Sequence, residues 1–419
     1  MTIQPQVEKL IRRGVRFPDP ESVYVGEEVE IERISGDGVT IWPGCRISGR
    51  STLILQGASL GAEGPITAES CQIGPSVSLR GGYFKKAVFL EKASAGSGAH
   101  VREGTILEEE AGIAHTVGLK QTILLPFVTL GSLINFCDCL MSGGTSRKDH
   151  SEVGSAYIHF NYTPNQDKAT ASLLGDVPRG VMLRQRPIFL GGQGGLVGPC
   201  RLEFGTVIAA GSVYRKDELR PDRLLIAGGG RNGNIPFSGG IYQNVRRILE
   251  NNFIYLGNLI ALMQWYEQVR SRFISAAFPE ALLEGLKEKL NLAIDERIRR
   301  LGGLAEKMPG SVEKYREIAG EKAAPKLILR KQEFHGRWAE LSAFFETARG
   351  RAGEAELRDE FLKRISAGIR ENGRAYIPVI KGLTPEDADI GTRWLQGITE
   401  SVTRDAFQLL PAFGTDRSE

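Results

Sequence analysis

Five histidines and five cysteines are the side chains of this 419-residue protein best suited to base, metal or thiol chemistry. A neutral imidazole takes up a proton near pH 7 or ligates a metal, and a thiol acts once it is ionised. His100, His115, His150 and His159 fall in the first half of the chain, and His150 ends a charged stretch, Ser146-Arg147-Lys148-Asp149-His150. Cys45, Cys71, Cys137, Cys139 and Cys200 contain no CxxC pair of the kind that holds zinc. Cys137-x-Cys139 is open to two readings: a redox or metal pair, or two small residues filling a repeat core. The odd number argues against a secreted disulfide framework.

The elements that must position these residues announce themselves by repetition. Apolar residues recur every six positions, as in Ile41, Ile47 and Leu53, then Leu60 and Ile66, then Ile73 to Leu79. Leu190, Leu196, Leu202 and Ile208 keep the same step, with Tyr214 next. Six fits neither a helix nor one long strand. It fits a short strand and a turn, with an aliphatic inside and small residues at the corner, as in Ile208-Ala209-Ala210-Gly211. Three such hexads close one triangular coil of roughly eighteen residues. The expectation is a left-handed parallel β-helix of the hexapeptide-repeat type over residues 22–240, after an N-terminal arm, 1–21. A β-sandwich with Gly-rich turns is the alternative, but it has no reason to keep a six-residue step. Gly81 to Lys92 and Ser142 to Glu152 break the register and read as loops, where solenoids often hold ligands.

After Gly240 the glycines thin out and a helical period takes over. Leu283, Leu286, Leu290, Ile294, Ile298 and Leu301 step by three and four, as do Phe334, Trp338, Leu341 and Phe345, and Leu357, Phe361, Ile365 and Ile369. Gly302-Gly303 and Pro309-Gly310 read as helix ends. Residues 241–419 are therefore expected to form an all-α domain, whose stripes are packing faces.

Bulk properties exclude several roles. The formal charge is +3 without a basic block, too little to argue for nucleic-acid binding. The most apolar run, Phe253 to Trp265, is shorter than the roughly 20 residues of a membrane span. No long apolar stretch opens the chain, so the expected location is cytoplasmic.

Particular residues carry a resemblance. Lys9-Leu10-Ile11-Arg12-Arg13-Gly14-Val15, Asp19-Pro20 and Val29-Glu30-Ile31 resemble the β-helix entry of the bacterial bifunctional N-acetylglucosamine-1-phosphate uridylyltransferase/glucosamine-1-phosphate acetyltransferases. The resemblance returns at Val153-Gly154-Ser155-Ala156, Asn161-Tyr162 and Lys168-Ala169-Thr170, and closes with Thr206 to Val213 and Lys216-Asp217. It covers about residues 7–217. It implies a homotrimer with the acyl-CoA groove between neighbouring β-helices, acetyl-CoA as co-substrate, and an amino sugar or nucleotide sugar as acceptor. No metal is required for that chemistry. By the same resemblance His115 is the general base, Asn161, Tyr162, Ser155 and Ala210 contact acetyl-CoA, and Lys168 and Asn135 bind substrate. No Gly-rich triphosphate loop precedes the β-helix entry, so this chain is not expected to make UDP-sugars.

The departures cluster on the acceptor side. The family's Tyr three residues after the His is Gly118 here, and Lys120-Gln121 replaces Gly-Asp. An ungapped count sets Glu103 where the family has a phosphate-binding Lys, which would repel a sugar phosphate. His115 to Asn161 is about one coil longer than the family spacing. An alternative is a non-catalytic descendant that binds a nucleotide sugar or serves as a scaffold. A zinc site of the kind in β-helix proteins resembling carbonic anhydrase is disfavoured, since no pair of histidines has that ligand spacing.

Overall fold

The structure, a computed structural model, describes residues 3–227 and 237–414. Its first part is a parallel β-solenoid of triangular section. One face holds ten strands, from Thr40–Ile41 to Leu224–Leu225, stacked in chain order among the described residues. The second face begins with Tyr24–Val25 and continues through Arg46–Ser48, Ile66–Glu69, Gly82–Lys85 and Ala99–Val101. The third runs through Leu53–Ile54, Gln72–Ile73, Ala87–Phe89 and Thr105–Leu107. Gly118–Leu124 and Asn135–Met141 bend around the corner between the second and third faces, so each serves both.

Corner geometry explains the glycine content. Each turn of the chain needs a left-handed residue at its corners. After the first face that residue is Gly98, Thr116, Leu133, Ala156, Gln193 and Gly211 in the coils where the chain tolerates either type. Glycine adopts this conformation freely, while an L-residue costs roughly 1–2 kcal/mol there.

Coil length is not uniform. Leu60 to Leu79 is 19 residues, and Leu190 to Ile208 is 18. From Leu130 to Val153 the step is 23, because an antiparallel hairpin, Gly144–Ser146 with Asp149–His150, leaves the coil. This is the excursion expected at Ser142–Glu152. From Val153 to Leu190 it is 37, with one loop near 161–170 and a short helix, Val177–Gly180. The expected loop at Gly81–Lys92 does not exist. That segment supplies two regular strands, Gly82–Lys85 and Ala87–Phe89. Its Phe84 and Phe89 fill the solenoid where smaller aliphatics stand elsewhere, which hides the period.

The solenoid interior is a column of buried aliphatics including Ile41, Ile47, Ile73 and Ile208. Val7 and Leu10 of the helix Pro5–Arg12 join it, so the arm caps the first coil. Leu53 is a correction. Ile54 points inward, while Leu53 and Leu55 point outward into a second core shared with the helices. Val88, Leu90, Ile106, Ile123, Leu125, Leu140 and Leu173 do the same. The third face is thus apolar on both sides, as a doubly covered sheet must be.

The covering helices are led by Val245–Gln264, Glu280–Ala305 and Pro385–Gln408. The first carries the apolar run from Phe253 to Gln264, with Trp265 just past its end, and is buried along nearly its whole length. The second lies across the strands of the third face so closely that a Cβ on Gly285 would stand 2.8 Å from Gln72 Cγ. Gly302-Gly303 does not end this helix, which continues to Ala305. Gly302 is small because the Trp338 indole lies on it, 3.0 Å from where a Cβ would be. Pro309 stands in the first turn of the next helix, Met308–Ala319, where its missing N–H is harmless. No helix among the described residues is long and apolar enough to cross a membrane.

Candidate functional site

His115 stands exposed at the corner between the first and second faces, followed by the left-handed Thr116. Its Nδ1 lies 2.8 Å from Ser132 Oγ, one coil on. Ser155 is one coil further, and its Oγ accepts from Ser132 N–H at 3.1 Å. The backbone of Gly191, in the next coil, lies directly against Ala210. His115, Ser132, Ser155 and Ala210 therefore stack along one edge of the prism. When Nδ1–H donates to Ser132 Oγ, the Nε2 lone pair has no partner among the described residues, the state a general base needs. Ser132 was not singled out by sequence. It stands one coil length from His115, in a Gly-Ser pair repeated at Gly154-Ser155, and coil arithmetic would have found it.

Asn135 opens the neighbouring second-face strand, in register with Gly118. Among the described residues a Cβ on Gly118 would meet only the Asn135 side chain, with Oδ1 at 3.6 Å. Glu103 is not a free carboxylate. Lys120 Nζ lies 2.8 Å from it. Burial works against its charge, but the Lys120 hydrogen bond holds the carboxyl below its usual range.

Asn161, Tyr162 and Lys168 lie elsewhere, in the loop that leaves the far end of the second face. Helical residues grip this loop. Arg297 forms a buried ion pair with Asp138 at 2.5 Å, and its Nη1 donates to Lys168 O at 3.1 Å. Asp138 in turn accepts from Asn161 Nδ2 at 3.0 Å. Lys307 Nζ donates to Asn165 O at 2.9 Å, Tyr242 O–H to the same oxygen at 3.3 Å, and Asn252 Nδ2 to Ala169 O at 3.0 Å. Asn161 thus has its amide N–H engaged by a carboxylate that Arg297 also holds. Tyr162 is 55% exposed, with the Lys168 ammonium 5.8 Å from its ring centre. None of these helical partners was legible as a site residue, because each stands more than seventy residues away.

The remaining histidines and cysteines divide by burial. His159 is enclosed between Cys137 O, at 2.6 Å, and Ser172 Oγ, at 2.8 Å. Burial pushes its pKa down to about 4, so it is neutral. Cys137 and Cys139 are free, and burial raises both thiols. Cys139 faces the solenoid interior; Cys137 lies under the outer surface of the second face. Among the described residues no three His, Cys, Asp or Glu gather as a metal cage.

Curated relatives match about half of this chain. It is 28% identical over 213 residues to the Bifunctional protein GlmU of Thermotoga maritima, a match spanning 51% of this chain and 42% of that one. It is 28% identical over 220 residues to the Bifunctional protein GlmU of Trichlorobacter lovleyi, spanning 52% and 42%. For the Bifunctional protein GlmU of Bdellovibrio bacteriovorus the figures are 28% over 210 residues, spanning 50% and 41%. The chain thus spans less than half the length of these relatives. No protein-family model matches it. The resemblance carried by the residues quoted above stands over that half of the chain.

Proposed function

We propose that the protein is an acyl-CoA-dependent acyltransferase acting on an amino sugar or nucleotide sugar, with His115 as general base. The observation that carries this reading is the His115–Ser132 pair, on an open edge of a solenoid that resembles an acetyltransferase half. The acceptor's amine nitrogen attacks the thioester carbonyl carbon. His115 Nε2 takes the proton that the nitrogen loses, and the carbon–sulfur bond breaks to release the CoA thiolate. His115, Ser155 and Ala210 would face the acyl end, while Asn161, Tyr162 and Lys168 would hold donor or acceptor from a neighbouring subunit.

A homotrimer supports that division. The edge beside His115 exposes large apolar side chains: Leu133 at 56%, Ile158 at 43%, Phe160 at 42% and Phe189 at 41%. The third face is covered by helices, so of the solenoid's own faces the first and second are open to a second copy. A closed assembly would bring the loop of one protomer toward the edge of the next.

The losses at Gly118 and Glu103 favour a second reading, a non-catalytic nucleotide-sugar-binding or scaffold protein. Calorimetry with acetyl-CoA, CoA and UDP-N-acetylglucosamine, beside light scattering, separates the two. Trimers that bind acetyl-CoA support the enzyme. Monomers at micromolar concentration that bind no CoA leave only the scaffold.

A further inference from the structure

The helices and the solenoid enclose a recess of about 530 Å³ between them. Its solenoid wall is the corner between the third and first faces, on two successive coils. Glu110 N–H donates to Glu91 O at 2.9 Å, so Glu91 and Lys92 stand one coil before Glu109 and Glu110. Its other wall comes from the helical part, within 270–282 and 374–378. His115 is on the same coil as Glu110 but past the first-face strand Gly112–Ile113, at the far corner. No residue of the proposed acyltransferase site lines the recess.

Two opposite charges meet at its inner wall, and each is only half satisfied. The Arg270 side chain is 1% exposed and that of Glu109 8%. One bond joins Arg270 Nη2 to Glu109 Oε1. Among the described residues Arg270 Nε and Nη1 and Glu109 Oε2 have no partner. Buried charged donors and acceptors left unpaired are costly. The guanidinium is held in place all the same. The Phe278 and Tyr376 ring centres lie 4.4 and 3.7 Å from its carbon, and Trp265 Nε1–H fixes Tyr376 by donating to its hydroxyl at 3.0 Å.

Charge around the recess balances, with Lys92, Arg270 and Arg374 against Glu91, Glu109 and Glu110. A bare anion would meet the carboxylates there, and a bare cation the guanidiniums. A ligand carrying both charges side by side meets neither penalty. Phe273, Leu282, Ile377 and Pro378 add an apolar surface.

We propose that this recess binds a free α-amino acid with an apolar side chain. Arg270 donates to its carboxylate, Glu109 Oε2 accepts from its ammonium, and the side chain lies against the apolar surface. Such a ligand bridges the solenoid and the helices. The inference is independent of the acyltransferase reading.

The test is calorimetry on the full chain with L-leucine, L-methionine and L-phenylalanine, each beside its N-acetyl and its amide derivative. At least one free amino acid should bind the wild type and lose ~10-fold or more in either derivative, because each derivative leaves one buried charge unpaired. Ala277→Trp sets a large ring at an exposed position of the rim. It should abolish binding while circular dichroism and melting temperature stay as in the wild type. Arg270→Met combined with Glu109→Met removes both partners together, which a fold tolerates better than the loss of one, and should also abolish binding. No binding of any of the three amino acids by the wild type overturns the site. So do derivatives that bind as tightly as the free amino acids, or binding that survives in Ala277→Trp or in the double variant.

Discussion

The edge carrying His115 and the loop carrying Asn161 are built by different means. At the edge, each neighbour of His115 is one coil away: Ser132 in the next coil and Ser155 in the one after. Position there follows from a repeat, and among the described residues no helix takes part. At the loop, the fixing groups come from the helical part, with Arg297 reaching Asp138 across 159 residues of sequence. A repeat can place a base cheaply, but a loop that departs from the repeat needs an outside clamp. The helical part meets the third face through apolar packing and meets the loop through charge.

The clamp should show the largest effect. Removing one partner of a buried ion pair leaves the other uncompensated, at roughly 3–5 kcal/mol. Arg297→Met should therefore lower stability by about that amount, read by chemical denaturation, and should weaken acetyl-CoA binding. Arg297→Lys keeps the charge but not the second bond to Lys168 O, so it should restore part of the stability and less of the binding. Equal CoA affinity in Arg297→Met and wild type would show that the clamp and the loop's ligand are unrelated.

A second junction between helices and solenoid is sensitive to pH. Glu108 is buried beside Glu109, and Tyr266 O–H donates to it at 2.6 Å. Burial, then the neighbouring Glu109 charge, pushes its carboxyl up to about 7. A carboxyl whose folded pKa is raised favours the folded state below its unfolded value, and loses that contribution as pH rises toward 7. Glu108→Gln should therefore be more stable than wild type at pH 8, by on the order of 3 kcal/mol at most, and little different near pH 4.5. His159, held neutral, works in the opposite sense, destabilising as pH falls from about 6.5 toward 4. The wild-type profile alone is then shallow, and only the difference between the two proteins isolates Glu108. A difference that does not grow with pH would contradict the assignment.

The edge should give the smallest effect when its support is trimmed. Ser132→Ala removes one hydrogen bond to an exposed ring, roughly 0.5–1.5 kcal/mol, so turnover should fall up to about tenfold with unchanged folding. A loss as large as that of the His115 variant would mean that Ser132 does more than orient the imidazole.

This division also accounts for what the sequence displayed. The six-residue step exposed the solenoid because single inward aliphatics such as Ile47, Ile73 and Ile208 recur beside small or turn-forming corner residues. It failed at Leu53-Ile54-Leu55 because both sides of that strand are buried, and a continuous apolar run has no phase. Runs of this kind at Leu53, Ala87 and Ile123 were themselves the sign of a covered face. The helical stripes were legible for the same reason as the coils, while Gly302-Gly303 misled because a glycine under a tryptophan looks like a glycine that ends a helix. His115 was found by resemblance, and its partner Ser132 was hidden only by coil length. Asp138, Arg297 and Lys307 had no local pattern, since their pairing depends on how two separately periodic regions dock.

The most direct test of the account separates the two regions by function: a thiol-release assay with acetyl-CoA over a panel of amino sugars and nucleotide amino sugars, run beside acetyl-CoA calorimetry. His115→Ala should lose roughly 10²–10⁴ in rate with donor affinity unchanged. Asn161→Ala should first lose donor affinity, since this side chain, whose N–H is bonded to Asp138, is the one assigned to the donor. Wild-type protein that neither turns over any acceptor nor binds CoA would contradict the account and leave a solenoid that binds without catalysing.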